Sequence, residues 1–251
     1  AYDYAADARG YTWGAAAEYF DDGWAARIGR FAQPKDPNGL ALDTHIGGRY
    51  GDQIELERHY ALGDDRPGTV RVLAYRNRAI MARYSDAFAL SAQSGEVPDL
   101  NLVRSGERVK MGVGVSLEQQ LAPDLGGFAR AMWADGRTET YAFTESDRSL
   151  AAGAVLTGQR WHREKDSLGF ALAESLLSSA HRQVLTDGGQ TFFLGDGRLH
   201  YGPERVAEAY YLFAPVHGVA LTLDYQRIWS PGYNQDRGPV SFYAIRLHVE
   251  N

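Results

Sequence analysis

The stretch from Val219 to Val249 constrains the fold most, because two segments in it alternate with a period of two and carry ionised side chains on one face only. Val219, Leu221, Leu223 and Tyr225 take the odd positions of the first segment, and Ala220, Thr222, Asp224 and Gln226 the even ones. After a turn-rich break at 230–239 (SPGYNQDRGP), Tyr243, Ile245, Leu247 and Val249 alternate with Ala244, Arg246, His248 and Glu250. A period of two belongs to a β-strand with one apolar and one polar face. A soluble sandwich would bury the apolar faces against each other. Here the other face is crowded with bulky ionised groups, so the reverse arrangement fits better: apolar side chains in lipid, charged ones around a wet lumen.

The same pattern recurs upstream. Val109, Met111, Val113, Val115 and Leu117 alternate without exception with Lys110, Gly112, Gly114, Ser116 and Glu118. Ile54, Leu56, Tyr60 and Leu62 oppose Gln53, Glu55, Glu57 and His59, with Arg58 breaking the register. Leu168, Phe170 and Leu172 share a face that Glu174 spoils, so either a bulge intervenes or the membrane section ends before Glu174. Further strands are expected over 11–19, 24–31, 69–78, 128–133, 139–143, 150–161 and 208–213, with a small hairpin over 191–201. Residues 33–48 read as a long loop, and a short helix is expected around Tyr84 to Gln93. The expectation is an all-β chain, a transmembrane antiparallel β-barrel with about twelve strands, forming one domain over 1–251.

Bulk properties agree. No run of about 18 apolar residues exists, which excludes a transmembrane helix but not a barrel, whose strands need only about ten residues each. The absence of cysteine removes disulfide scaffolds and thiolate metal sites. A net charge of −6 with no basic block argues against a nucleic-acid partner. The chain opens on Ala-Tyr-Asp-Tyr without a basic or apolar leader, so an export signal is expected upstream or already removed.

If polar parity marks the lumen, it is lined by Arg27, Glu55, Glu57, Arg71, Lys110, Glu118, Arg130, Asp224, Gln226, Arg246 and His248, joined by Glu18, His59 and Glu250. An ion-selective pore shows one sign in excess at its constriction, whereas mixed signs suit a neutral polyol. Trp161, Trp229 and Tyr233, near turns or loops, are candidates for stacking on sugar rings. The plainer reading is a ladder of salt bridges that stiffens the wall. No catalytic, cofactor or metal site is expected. Glu55 and Glu57 lie two apart on one face, a spacing that overlaps that of inverting glycosidases, but a wet lumen explains them more simply. Gly195-Asp196-Gly197 lacks the other acids of a calcium loop.

Five stretches together resemble OprB-type carbohydrate-selective porins: GYTWG at 10–14, EQQLAPDLGGFARAMWADG at 118–136, TESDRSLAAGAVLTGQRWHREKD at 144–166, GDGRLHYGPERVAEAYY at 195–211 and DYQRIWSPGYNQDRGPVSFYAIRLHVE at 224–250. The last, with its DYQ…P-x-YN-x-DRGPV…R-x-H hairpin, is the most specific. The resemblance implies passive diffusion of small carbohydrates across a bacterial outer membrane, in contact with outer-membrane lipid and lipopolysaccharide, by a monomer or homo-trimer. Family barrels are larger, roughly sixteen strands, and begin with a tryptophan- and glycine-rich segment without counterpart here, so this chain is expected to be the C-terminal portion of one. They usually end in an aromatic residue where this chain has Asn251. Two rival readings remain: a barrel hydrolase relying on His248 or Glu57, and a structural or export barrel plugged by residues 33–48 or 178–206.

Overall fold

The computed structural model describes residues 3–63, 65–141 and 145–250. Alternating segments become eleven strands: β1 (Gly14–Asp21), β2 (Trp24–Phe31), β3 (Tyr50–Leu62), β4 (Arg66–Ile80), β5 (Glu107–Ala122), β6 (Leu125–Ala134), β7 (Arg148–Thr157), β8 (Ser167–Leu176), β9 (Glu204–Val216), β10 (Val219–Trp229) and β11 (Val240–Val249). They form one sheet in chain order, each strand antiparallel to the next. Three helices lie in the connections: α1 (Tyr84–Ser94), α2 (Leu100–Val103) and α3 (Ser179–Thr186). No described helix is long and apolar enough to cross a membrane.

Register carries the alternation across the sheet. Ile54 faces Ile28 and Ala74, and Ala74 in turn faces Val113, which faces Trp133, so one surface is continuously apolar. Val113 is 49% exposed and Ile245 76%, and neither meets another strand's apolar face in a dry centre. An apolar surface of this extent is not left facing water by a soluble monomer. The buried clusters lie instead among the connections, where Tyr84, Leu100 and Val184 pack together, as do Leu177, Leu185 and Tyr233. The polar face on which these connections fold is called the inner face below, and the apolar one the outer face.

The connections sort cleanly by length. Those after β1, β3, β5 and β9 are tight turns, and that after β7 is short; those after β2, β4, β6, β8 and β10 are longer and all leave the opposite end of the sheet. Gly23 closes the first hairpin at φ 67°, a left-handed conformation that costs glycine nothing.

The strand count is one below expectation, and the segment expected over 139–143 accounts for it. Of the strand expected over 139–143, the described residues 139–141 form none: Thr138 bridges Arg83 and the Glu139 amide bonds to the Ala82 carbonyl, drawing them onto the β4–β5 connection. Residues 142 and 143 lie outside the described residues, as does Asn251. Residues 191–201 form no hairpin; Gln190 bridges to Asp99 and Tyr201 to Asn234, so each end pairs elsewhere. The helix expected around Tyr84 is present and ends at Gly95, φ 77°.

The two register breakers also resolve. Arg58 points outward beside the tight turns, its guanidinium 4.8 Å from the Trp24 ring and donating to the Asp22 carbonyl. Such snorkelling suits the membrane boundary. Glu174 lies on the outer face of β8, which runs on to Leu176 without a bulge, and Arg205 of β9 donates to it at 2.5 Å. Irregularities in register occur instead at Gln120/Ala122 and Val219/Leu221.

Candidate functional site

Across the inner face of the first six strands, charge alternates in sign strand by strand. Glu18 of β1 pairs with Arg27 of β2 at 3.3 Å, and Arg27 reaches Glu55 at 2.9 Å and Glu57 at 3.1 Å on β3. Glu57 pairs with Arg71 of β4 at 2.6 Å, Arg71 with Glu118 of β5 at 3.0 Å, and Glu118 lies 3.9 Å from Arg130 of β6. His59 adds a contact to Glu57 at 2.8 Å. Antiparallel register produces this, because residues directly opposite share a face. Each partly exposed pair contributes about 0–1 kcal/mol, so the ladder fixes side-chain direction more than it stabilises the sheet.

The inner face of β9 to β11 is different. A cleft of about 480 Å³ is lined there by Glu208, Tyr210, Asp224, Gln226 and Arg246, among others. Gln226 donates to Glu208 at 2.7 Å, but among the described residues neither the Asp224 nor the Arg246 side chain has an ionic or hydrogen-bonded partner. Tyr210 lies flat because its strand partner is Gly169, where a Cβ would come within 2.1 Å of the ring. The cleft thus combines two carboxylates, an amide, a guanidinium and an aromatic ring on one wall.

At the end with the long connections, the inner face is covered by a lid. Lys110 is fully buried, 3.2 Å from Asp3 and 3.5 Å from the Thr140 hydroxyl. Asp3 also accepts from the Tyr141 amide, at 3.0 Å. Asp147 accepts from the Ser178 amide at 2.8 Å and contacts His181 Nδ1 at 3.0 Å, and Tyr84 stacks on the His181 ring at 5.0 Å. Burial works to raise the Asp147 carboxyl, but His181, Lys110 and the Ser178 amide outweigh it and hold it at about 2. Glu145 accepts from the amides of Phe192 and Phe193, and its carbonyl from the Tyr233 hydroxyl at 2.6 Å. Glu139 takes Arg104 in a two-bond fork at 2.8 and 2.7 Å. The β6–β7 connection therefore ties the N-terminal residues to the connections after β4, β8 and β10.

The OprB model of carbohydrate-selective porins matches residues 1–250. This chain belongs to the OprB family. No curated protein matches it. Among solved structures, Pseudomonas putida OprB, in its high-pH form, is similar with a TM-score of 0.76 at 19% identity, over 95% of this chain and 58% of that one. That likeness shows the fold, and the chain spans little more than half the length of that porin. The Pseudomonas putida toluene transporter TodX matches at a TM-score of 0.39 and 12% identity, over 93% of this chain and 72% of that one, too weakly to carry an argument. Family membership places the chain in the bacterial outer membrane.

On this OprB-family sheet, Arg27, Glu55, Glu57, Arg71, Glu118 and Arg130 come together in the ladder, and Asp224, Gln226 and Arg246 in the cleft. His248 shares the inner face near the tight-turn end, 3.4 Å from Glu250. Four expected contacts stand elsewhere. Lys110 has the inward parity but is sealed under the lid. Tyr233 is buried in it. Trp161 sits in the β7–β8 turn, donating to the outer-face Tyr211 hydroxyl at 3.1 Å. Trp229 has the odd parity of Leu221 and Leu223 and faces outward. Nearness to a loop had suggested all three aromatics, but face decides what a side chain meets. Glu208 and Tyr210 were missed because EAYYLF carries aromatics at both parities, which leaves its inner face ambiguous.

Proposed function

We propose that this chain forms most of the wall of an outer-membrane pore through which small carbohydrates diffuse passively, and that the β9–β11 cleft is where they touch the wall. The carrying observation is the unpartnered pair Asp224 and Arg246 beside Tyr210. A carboxylate accepts hydroxyl protons, a guanidinium donates in a fixed fork, and the ring offers a face to a sugar's C–H surface. Contacts at this wall are few and water-exposed, as passage requires, since binding must be weak enough for exit. Inner-face acids and bases occur in similar numbers, which suits a neutral solute. The free edges of β1 and β11 support membership of a larger closed barrel, because unpaired backbone in hydrocarbon costs several kcal/mol per group.

The test is conductance across a planar bilayer, with sugar uptake into liposomes alongside. Millimolar neutral sugar is expected to reduce the ion current reversibly, and Asp224→Asn with Arg246→Gln to weaken that block about tenfold while leaving the sugar-free conductance largely intact. Current insensitive to sugar, together with no uptake, would count against the reading. The lid favours a second reading, a plugged barrel; it predicts negligible conductance in the same experiment.

A further inference from the structure

We infer that the outer face of β7 to β10, at the long-connection end, carries a binding site for the phosphorylated headgroup of an outer-leaflet glycolipid, lipopolysaccharide. The inference rests on the porin reading for its orientation: barrels of this kind keep short turns in the periplasm and long loops outside. The long-connection ends of the strands therefore meet the outer leaflet.

Three arginines gather there on a face that is otherwise apolar. Arg148 begins β7 opposite Leu176, and Leu176, like Leu150 and Leu172, belongs to the outward parity. Arg205 of β9 sits between Glu174 of β8 and Trp229 of β10 on a single rung. Arg227 lies two residues further toward the membrane centre and donates to the Ser241 hydroxyl at 2.9 Å. Glu174 is the only carboxylate that pairs with any of the three among the described residues, so the group keeps an excess of positive charge. Guanidinium groups pointing at hydrocarbon would be costly; at headgroup level they meet phosphate, which their fork fits in two-bond geometry.

A depression of about 490 Å³ opens at Arg205, the one of the three that lines it, together with Trp229, Ser230 and Gln235 and with Gly202 and Gly238. Trp133 and Trp229, both exposed, flank the arginines as an interfacial girdle. Below, Leu150, Phe170, Leu172 and Leu223 continue the outer face as a surface for acyl chains. Phosphate, sugar ring and acyl chain thus each have a complementary surface in the right vertical order. The occupant is a lipid that carries all three.

The full chain, folded in detergent, is mixed with bis-phosphorylated lipid A and with its dephosphorylated counterpart, and bound copies are counted by native mass spectrometry. Wild-type protein is expected to retain the phosphorylated form at least tenfold better. Replacing Arg148, Arg205 and Arg227 together by Gln is expected to abolish that preference, and replacing them by Lys to restore part of it, with heat-modifiable gel mobility reporting that each variant is folded. Equal retention of both lipid A forms by wild type would overturn the inference, as would an unchanged preference in the folded Gln variant. So would a concentration-dependent dimer lost in that variant, which would make this face a contact between copies. Sugar conductance in lipopolysaccharide-free bilayers is measured on the same samples, so a failed pore and a failed lipid site are read separately.

Discussion

Asp147 shows how much the lid depends on single buried charges. Its carboxylate, held at about 2 against an ordinary value of 3.8, is favoured in the folded state. The depressed value means that its contribution is fully present above about pH 4 and is lost as pH falls toward 2; the shift corresponds to roughly 2 kcal/mol. Asp147→Asn should remove this acid dependence, and amide protection across 179–186, taken relative to the intrinsic exchange rate, should fall at neutral pH in the variant to the level expected of wild type near pH 2. Protection that is the same in both proteins across that range would contradict the role given to Asp147. Lys110 makes the complementary point. In sequence it is one more polar residue on an alternating strand, and its inward parity is legible, but its burial depends on Asp3 and Thr140, which lie far away in the chain. Parity reads which face a side chain takes; it does not read what covers that face.

At the level of elements, the same division holds. β2 spans Trp24–Phe31 as its alternation implies, and β5, β10 and β11 extend from cores that the period of two marks out. Alternation is local and survives because each rung imposes it again through its neighbour. The sequence over 139–143 also alternates, yet Glu139 pairs with a distant loop, since it gains more from Arg104 and the Ala82 amide than from a ladder. Trp229 was readable, for its odd number places it with Leu221 and Leu223; proximity to the loop was the weaker guide. The strand glycines on the inner face have a purpose the pattern alone does not show: Gly112 and Gly169 leave room for Tyr75 and Tyr210 to lie across them. Gly169→Val should push the Tyr210 ring off the wall and weaken sugar block of the current roughly three- to tenfold, the range expected for one aromatic contact. Tyr210→Ala should match it in size, and the double variant should add nothing further. Full additivity of the two substitutions would show that Gly169 acts through something other than the ring.

For the whole molecule, the decisive property is that all long connections leave one end. Assigning twelve strands to the sequence scattered them over both ends, and removing the one assigned from Glu139 brings them together. This sidedness also separates the two halves of the wall. The charge ladder lies toward the tight turns, while the lid lies over the long-connection end, so under the proposed function and orientation a solute entering from outside would meet the lid before Asp224 and Arg246. Orientation can be measured directly because the chain has no cysteine. A cysteine replacing Val97, exposed in the β4–β5 connection, should react with a membrane-impermeant maleimide on intact cells. One replacing Asp22, in the β1–β2 turn, should react only after the outer membrane is permeabilised. Both strands flanking Asp22 run to that turn from the lid end, so the two sites lie on opposite sides of the bilayer whatever their loops do. Labelling of Asp22→Cys on intact cells with Val97→Cys protected would invert the molecule, move the lid to the periplasm and place the three arginines against the inner leaflet of the membrane.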